Sequence, residues 1–373
     1  MPNESYYIGL ISGTSLDGID AALVDFSSGK ARLHTALHTP YSASILSELR
    51  SLRQPGDNEI DRLGELDRRV ALAFAEAVQA LLTKAGIEAK RISAIGSHGQ
   101  TVRHRPNATP PFTLQIGDPN TLAEVTGITT VGDFRRRDMA AGGEGAPLVP
   151  AFHQALFRVT DSPRIVLNLG GIANITCLPP LHQGSVVGYD TGPANTLLDA
   201  WIQRHRDLAY DDQGAWASSG RLNEPLLQRL LDDPYFSLTP PKSTGTEYFN
   251  LNWLDALLPK QTLPPVDIQR TLVELTAHTV ADAIKRERFE QAEVLVCGGG
   301  AHNSFLLERL MRQLPEATVV TTATYGLNPD WIEAMAFAWL AKQTLAGQNG
   351  NLPSVTGARR AVPIGAIHPG SSA

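Results

Sequence analysis

A strand, a glycine-rich turn and a second strand occur twice in this chain, and both turns are loaded with hydroxyl, amide or carboxylate side chains. The first, over residues 6–24, turns through Ser12-Gly13-Thr14-Ser15-Leu16-Asp17-Gly18-Ile19-Asp20. The second, over residues 165–176, turns through Asn168-Leu169-Gly170-Gly171-Ile172-Ala173-Asn174. Glycine lets backbone approach a bulky anion closely, and donors beside it can grip phosphate oxygens. Either turn alone could be an ordinary hairpin with polar decoration. As a pair facing each other they would clamp a polyphosphate from both sides, which points to a nucleotide held between two related domains. The first turn is not a Walker loop, since no Gly-Lys-Ser/Thr follows at the required spacing.

A chain of 373 residues exceeds what one compact core usually serves, so two domains are the prior. Its 42% hydrophobic and 19% charged residues are those of a globular protein, and a net charge of −6 argues against a general nucleic-acid binder. Cys177 and Cys297 each sit in an apolar, strand-like run and are expected as small buried thiols in a reducing compartment. No basic flank leads into an apolar signal stretch, and no run approaches the roughly 20 apolar residues of a membrane span. A cytoplasmic location is the expectation.

Apolar residues at helical spacing predict a helix over 60–85, ended by Gly86. Residues 92–99 look like a short strand running into a polar loop, with further short strands at 112–116 and 129–131. Residues 133–150, dense in Gly, Arg and Pro, are the expected inter-domain crossing. Beyond it come a helix at 151–157, the second hairpin, a strand at 186–189, and helices at 194–205 and 268–286. A strand at 293–297, a helix at 304–313, a strand at 319–321 and a helix at 331–345 complete the pattern. Strands alternating with helices imply an α/β fold.

Asp190, in Gly188-Tyr189-Asp190-Thr191-Gly192-Pro193-Ala194-Asn195, sits where a strand is expected to end, with Pro193 suited to the first turn of the next helix. Ligands in open α/β sheets lie at the carboxyl ends of strands, which makes Asp190 the leading catalytic carboxylate; helix capping and water-mediated metal binding are its plainer roles. A helix N-terminus would stabilise its anion and weaken it as a base, which matters less if the attacked carbon has oxocarbenium character. Gly298-Gly299-Gly300, between a strand and a helix, lets a flat ring or a phosphate approach the helix start, where Asn303 suits a cap. His98, Gln100 and Thr101 suit hydrogen bonds to a polyhydroxyl substrate better than metal ligation. Asp133-Phe134-Arg135-Arg136-Arg137-Asp138 is either a solvated charge run or a grip on a carboxylate or phosphate. Glu333 has the local context of a surface residue.

Taken together, residues 9–20, His98-Gly99-Gln100-Thr101, 133–150, 168–174, 188–195, Lys242-Ser243-Thr244-Gly245, 298–303 and 333–339 resemble the anhydro-N-acetylmuramic acid kinases. These belong to the sugar-kinase, heat-shock-70 and actin superfamily, and the resemblance covers essentially the whole chain. It implies a two-domain actin-like ATPase fold, a duplicated ribonuclease H-like α/β architecture with an inter-domain cleft. The N-terminal lobe would be 1–132 plus roughly 347–373; the C-terminal lobe, 133–346, would carry the catalytic aspartate and the adenosine-binding segment. The enzyme would be a cytoplasmic homodimer of peptidoglycan recycling. With ATP and Mg²⁺ it would open the 1,6-anhydro ring of 1,6-anhydro-N-acetylmuramic acid with water and phosphorylate O6.

On the same resemblance Gly13, Thr14, Ser15, Leu16, Asp17, Gly18, Ile19 and Asp20 form the first phosphate-binding segment, and Asn168, Gly170, Gly171 and Asn174 the second. Gly298, Gly299, Gly300 and Asn303 would serve adenosine, and Asp190 would be the general base. His98, Gln100, Thr101, Asp133, Arg136 and Glu333 would line the sugar site, with Asp17 and Asp20 toward the metal. The arginine segment is expected to recognise the lactyl carboxylate. Two positions depart from the pattern: Ile11 stands where many kinases of the superfamily have an aspartate, and Ala194 where the family often has glycine. A nucleotide-driven switch protein, a non-catalytic sugar sensor and a kinase acting on a free sugar hydroxyl are the competing classes. Sugar-dependent ADP release and solvent oxygen at C1 separate them.

Overall fold

The computed structural model describes residues 6–13, 16, 18–260 and 262–371. The chain divides into two compact units, residues 1–156 with 331–373, and residues 157–330.

The sheet of the first unit holds β1 (Tyr6–Ser12), β2 (Gly18–Asp25), β3 (Arg32–Pro40), β4 (Ile92–Arg105), β5 (Phe112–Ile116) and β6 (Thr130–Gly132), with Ala366–His368 on the far edge. Its order runs β3-β2-β1-β4-β6; β2 is antiparallel to both neighbours, and β4 and β6 run parallel to β1. Every residue of β1 is buried, and a strand covered on both faces reads as an apolar run rather than an alternation. The helix Glu59–Ala85 turns Leu66, Val70, Phe74, Val78 and Leu81 into this core. It stops at Gly86, whose φ of +66° lets its N–H return to the carbonyls of Leu82 and Thr83.

A second cover comes from far along the chain. Gly9 of β1 and Gly96 of β4 are direct cross-strand partners. The helix Ile332–Leu345 rests its backbone on them: a Cβ at Gly9 would stand 1.8 Å from the carbonyl oxygen of Ala334, and one at Gly96 2.0 Å from that of Phe337. Buried Ala334, Ala336, Ala338 and Ala341 keep the helix thin enough for this seat.

The second unit repeats the plan with β7 (Arg164–Leu169), β8 (Ile172–Leu178), β9 (Val187–Pro193), β10 (Glu293–Cys297) and β11 (Thr318–Thr321), in the order β9-β8-β7-β10-β11. Here β8 is antiparallel to its neighbours, and β10 and β11 are parallel to β7 and β10 respectively. The helix Pro265–Arg286 buries Leu272, Val273, Val280 and Ile284 in one cluster with Val294 and Val296 of β10. Both sheets thus place their third, second, first and fourth strands in the same sequence, followed by a strand parallel to the fourth (β6 and β11), each starting from a hairpin of its first two. This is a duplicated ribonuclease H-like α/β fold, that of the actin-like ATPases. Cys177 and Cys297 are buried free thiols.

Three expectations are corrected. The units do not divide at 132/133 and 346/347: residues 133–156 and the helix Ile332–Leu345 belong to the first unit. Buried Asp138 explains part of this, since it accepts hydrogen bonds from Asn351 Nδ2 (2.6 Å), Thr356 Oγ1 (2.8 Å) and the Gly145 amide (2.8 Å). Residues 97–105 are strand rather than loop, because β5 supplies a ladder partner from Gln100 onward while Gly99, at φ +72°, absorbs the local irregularity. Finally, β9 continues through Asp190 to Pro193, so Pro193 ends a strand instead of opening a helix.

Candidate active site

In the first unit, Thr14, Ser15 and Asp17 lie outside the described residues. The rest of their turn is tied to β4. Ser12 Oγ donates to Gln100 Oε1 at 2.6 Å, and Gln100 Nε2 donates to the Gly13 carbonyl at 3.3 Å and to that of Thr101 at 3.4 Å. Leu16 adopts φ +60°, its N–H reaching back to the Gly13 carbonyl, and the side chains of Leu16 and Ile19 are buried in the core. Their backbones are what they offer a ligand. A Cβ at Gly18 would lie 2.4 Å from the Thr39 carbonyl oxygen, so that glycine serves the packing of β2 on β3. Asp20 Oδ1 lies 2.8 Å from His38 Nδ1, with both side chains partly exposed.

The expected sugar-binding residues divide into supports and candidates for contact. Buried His98 donates from Nδ1 to the Gly99 carbonyl (2.9 Å) and accepts on Nε2 from Arg135 Nε (2.9 Å), which fixes the neutral tautomer. Burial, then the Arg135 charge, hold its pKa well below the usual imidazole range. Thr101 Oγ1 accepts from Gln115 Nε2 at 3.1 Å. Gln100 and His98 are therefore structural ties. His98 leads to Arg135, part of the expected arginine segment though Arg136 was the arginine singled out: it also donates to the Gly145 carbonyl (2.8 Å), and burial lowers its pKa to about 10 against the opposing pull of Glu333 and Asp138. Arg136 instead points outward, 67% exposed, paired with Asp133 at 2.7 Å. Glu333 is no plain surface residue; burial and then the Asp20 charge raise its pKa, with Arg135 opposing. Arg135, Glu333 and Asp20 thus form one electrostatic neighbourhood within this unit.

Half-buried His104 and buried His153 of this unit set a pH dependence. Burial and the charges of Arg135 and Arg105 take His104 from 6.5 to about 4, and burial takes His153 to about 3. Folded pKa values below the unfolded one mean that the unfolded chain takes up protons first, so stability is complete above pH 6.5 and falls as pH drops toward 4. Melting temperatures should decline across that window, and His104→Gln should flatten the decline; equal slopes for both proteins would exclude His104 as a cause.

In the second unit the predicted pieces do converge. A Cβ at Gly298 would lie 2.4 Å from Asn168 Oδ1, and one at Gly300 2.6 Å from Leu169 Cβ, so the Gly298-Gly299-Gly300 turn sits directly on the β7–β8 hairpin. Gly298 itself takes φ +79°. Asn195 Nδ2 donates to the Leu169 carbonyl (3.0 Å), and the amides of Asn195 and Thr196 donate to the carbonyls of Gly170 and Gly171 (both 3.1 Å). Asn303 caps the helix Ser304–Gln313, accepting from the Leu306 amide at 3.0 Å. Ala194 takes φ −128° and ψ −112° immediately before the helix Asn195–Arg206.

Asp190 pairs across the sheet with Asn174 of the hairpin. Because the strand continues beyond it, the helix that follows begins at Asn195, and Asp190 is not that helix's cap. Its Oδ2 accepts the Thr244 amide at 3.0 Å, its own amide donates to the Lys242 carbonyl (3.3 Å), and its carbonyl accepts from Tyr235 Oη (2.7 Å). Burial and the neighbouring Asp190 push the Tyr235 phenol upward, so that it stays protonated and donating. Tyr235, Lys242 and Thr244 were without an assigned role in the sequence; the only signal was the Lys242-Ser243-Thr244-Gly245 motif.

A sequence model of the anhydro-N-acetylmuramic acid kinase family matches residues 5–370. The chain belongs to the anhydro-N-acetylmuramic acid kinase family. A relative of that name from Xylella fastidiosa (strain Temecula1 / ATCC 700964) is 55% identical over 374 residues, covering 99% of this chain and 97% of its own. One from Coxiella burnetii (strain RSA 493 / Nine Mile phase I) is 54% identical over 369 residues, covering 99% and 98%, and one from Pasteurella multocida (strain Pm70) is 53% identical over 366 residues, covering 98% and 97%. No helix among the described residues is long and apolar enough to cross a membrane.

Proposed function

We propose that this chain is an ATP-dependent kinase that hydrolytically opens the 1,6-anhydro ring of 1,6-anhydro-N-acetylmuramic acid and phosphorylates O6. The products are N-acetylmuramic acid 6-phosphate and ADP, and the setting is peptidoglycan recycling in the cytoplasm. The observation that supports this chemistry is the Asp190 carboxylate, held in place through Oδ2 by the Thr244 amide at 3.0 Å. Asp190 orients a water and accepts its proton as the water attacks C1. The C1–O6 bond breaks, and the freed O6 attacks the γ-phosphorus while ADP leaves. In the second unit, backbone amides of the β7–β8 hairpin stabilise the phosphates, and Gly298, Gly299 and Gly300 leave room for adenosine.

Among the described residues no group of three or more His, Cys, Asp or Glu forms a metal cluster. Magnesium usually takes only one or two carboxylates, with water and phosphate completing its shell, and Asp20 beside Glu333 fits that demand; Asp17 lies outside the described residues. When bound, the ion neutralises charge on the transferring phosphoryl group. The proposal includes a homodimer, on family resemblance, which sedimentation would test.

The reaction is tested by running it in oxygen-18 water. The label should enter the product at C1, one atom per ADP formed; product without label would mean phosphorylation of a pre-existing hydroxyl. For the lactyl carboxylate, Arg135 is the better candidate than Arg136, being half-buried and close enough to feel the Glu333 charge while Arg136 is exposed and paired with Asp133. Arg136→Ala should leave KM for the anhydro sugar within about twofold, and Arg135→Ala should raise it by about tenfold or more, as expected for loss of a charge-assisted bond. The reverse ranking would return the role to Arg136.

A further inference from the structure

The loop carrying Thr244 is what holds the Asp190 carboxylate, and that loop is itself held. Half-buried Lys242 donates from Nζ to the Tyr235 carbonyl at 3.1 Å, and its ammonium stands 4.5 Å from the centre of the Tyr235 ring and 5.9 Å from that of Tyr189. Tyr235 in turn donates to the Asp190 carbonyl, and the Lys242 carbonyl receives the Asp190 amide. A closed circuit results: Lys242 to Tyr235, Tyr235 to Asp190, Asp190 back to residues 242 and 244. We propose that Lys242 is a positioning residue for the ring-opening step, its ammonium clamping the 242–244 segment on Tyr235 so that the Thr244 amide fixes the aim of the Asp190 carboxylate. The inference rests on Asp190 as the base.

The charge is essential to this clamp. A neutral amine keeps one hydrogen bond but loses the attraction to two aromatic faces and to the Asp190 carboxylate. The groups facing Lys242 are Tyr189 and Asp190 on β9, Tyr235 on the helix Pro234–Ser237, and Asp282 and Arg286 on the helix Pro265–Arg286. Burial lowers its pKa to about 8, helped by Arg286 and opposed by Asp190. The clamp is therefore charged at neutral pH and loosens on the alkaline side. Lys242 also borders a cavity of about 310 Å³ shared with Phe236, Asp282 and Arg286, which leaves space for substitution.

The test compares Lys242→Met, Lys242→Arg and Asp190→Asn in the full chain, with anhydro sugar and ATP. Lys242→Met should lower kcat about 10- to 100-fold, the scale set by misaiming a catalytic group, while KM for ATP stays within twofold. The wild-type fall in kcat above pH 8 should vanish in Lys242→Met and move to higher pH in Lys242→Arg, which should recover most of the rate. A double variant, Lys242→Met with Asp190→Asn, should be no slower than Asp190→Asn alone. If Lys242→Met lowers only the melting temperature, with kcat per folded molecule and pH profile unchanged, the inference is overturned. If Asp190→Asn keeps full activity, the base assignment fails first, whatever Lys242 does.

Discussion

Asp190→Asn should lower kcat by about a thousandfold, the middle of the range for loss of a positioned general base. Asparagine has the same shape, and its carbonyl oxygen can still accept the Thr244 amide, while the Lys242 and Tyr235 bonds to residue 190 use only main-chain atoms of that residue. The fold should therefore survive, with a melting temperature within about 1 °C of the parent, less than ~1 kcal/mol in a chain of this size. What disappears is the ability to take the proton from water. KM for ATP should be unaffected, since the phosphate contacts proposed above come from hairpin backbone rather than from this carboxylate. Steady-state ADP release at saturating anhydro sugar decides the matter: a variant keeping more than a tenth of parental kcat would show that the attacking water needs no base here, or a different one.

Gly9→Ala should be among the most destabilising single changes available. The added methyl would meet the carbonyl oxygen of Ala334 at 1.8 Å and the amide nitrogen of Ala338 at 2.6 Å, and both are backbone atoms of a buried helix that cannot rotate aside. The cost should reach or exceed the roughly 1–3 kcal/mol usual for overpacking, because the whole helix Ile332–Leu345 must lift. Glu333 would move with it, so activity should fall along with stability. Gly64, in the exposed face of the helix Glu59–Ala85, has nothing within 4 Å of where an added methyl would sit. Gly64→Ala should accordingly stabilise the chain by about 0.5–1 kcal/mol, the conformational-entropy gain of alanine in a helix. Denaturant midpoints of the two variants should move in opposite directions; a neutral Gly9→Ala would mean that the helix does not sit on β1 as described.

Local signals carried well from sequence to structure where they were periodic. The helix expected at 60–85 is Glu59–Ala85, and the strand at 293–297 and the helix at 304–313 are found at those residues. Both hairpins and the Asp190 strand were legible because glycine and polar turn residues interrupt strongly apolar runs. What escaped was non-local. Arg32–Pro40 alternates polar and apolar residues as the outer strand of its sheet and lacks a strong apolar signature, and Pro119–Thr126 is a short helix whose cap, Asp118, gives little warning. The polar string from His98 to Arg105 has the look of a loop because its ladder partner, Phe112–Ile116, lies beyond a proline-rich turn. The same limit applies to the site. Arg135 and Arg136 are adjacent and chemically identical, and only the bonds to His98 and the Gly145 carbonyl turn one of them inward while the other stays exposed. His98 and Gln100 have side chains suited to sugars, yet the fold uses those same donors and acceptors to brace the first hairpin and Arg135.

The return of residues 331–373 to the first unit sets an order of events during translation. A nascent chain that has emerged as far as residue 330 already contains all of β7 to β11, so the intervening half can close. Gly9 and Gly96 at that moment still lack the helix that covers them, and β1 and β4 stand open to chaperones and proteases. The half of the protein made first is thus the half finished last, an order that brief proteolysis of ribosome-stalled chains would reveal as cleavage confined to the early strands.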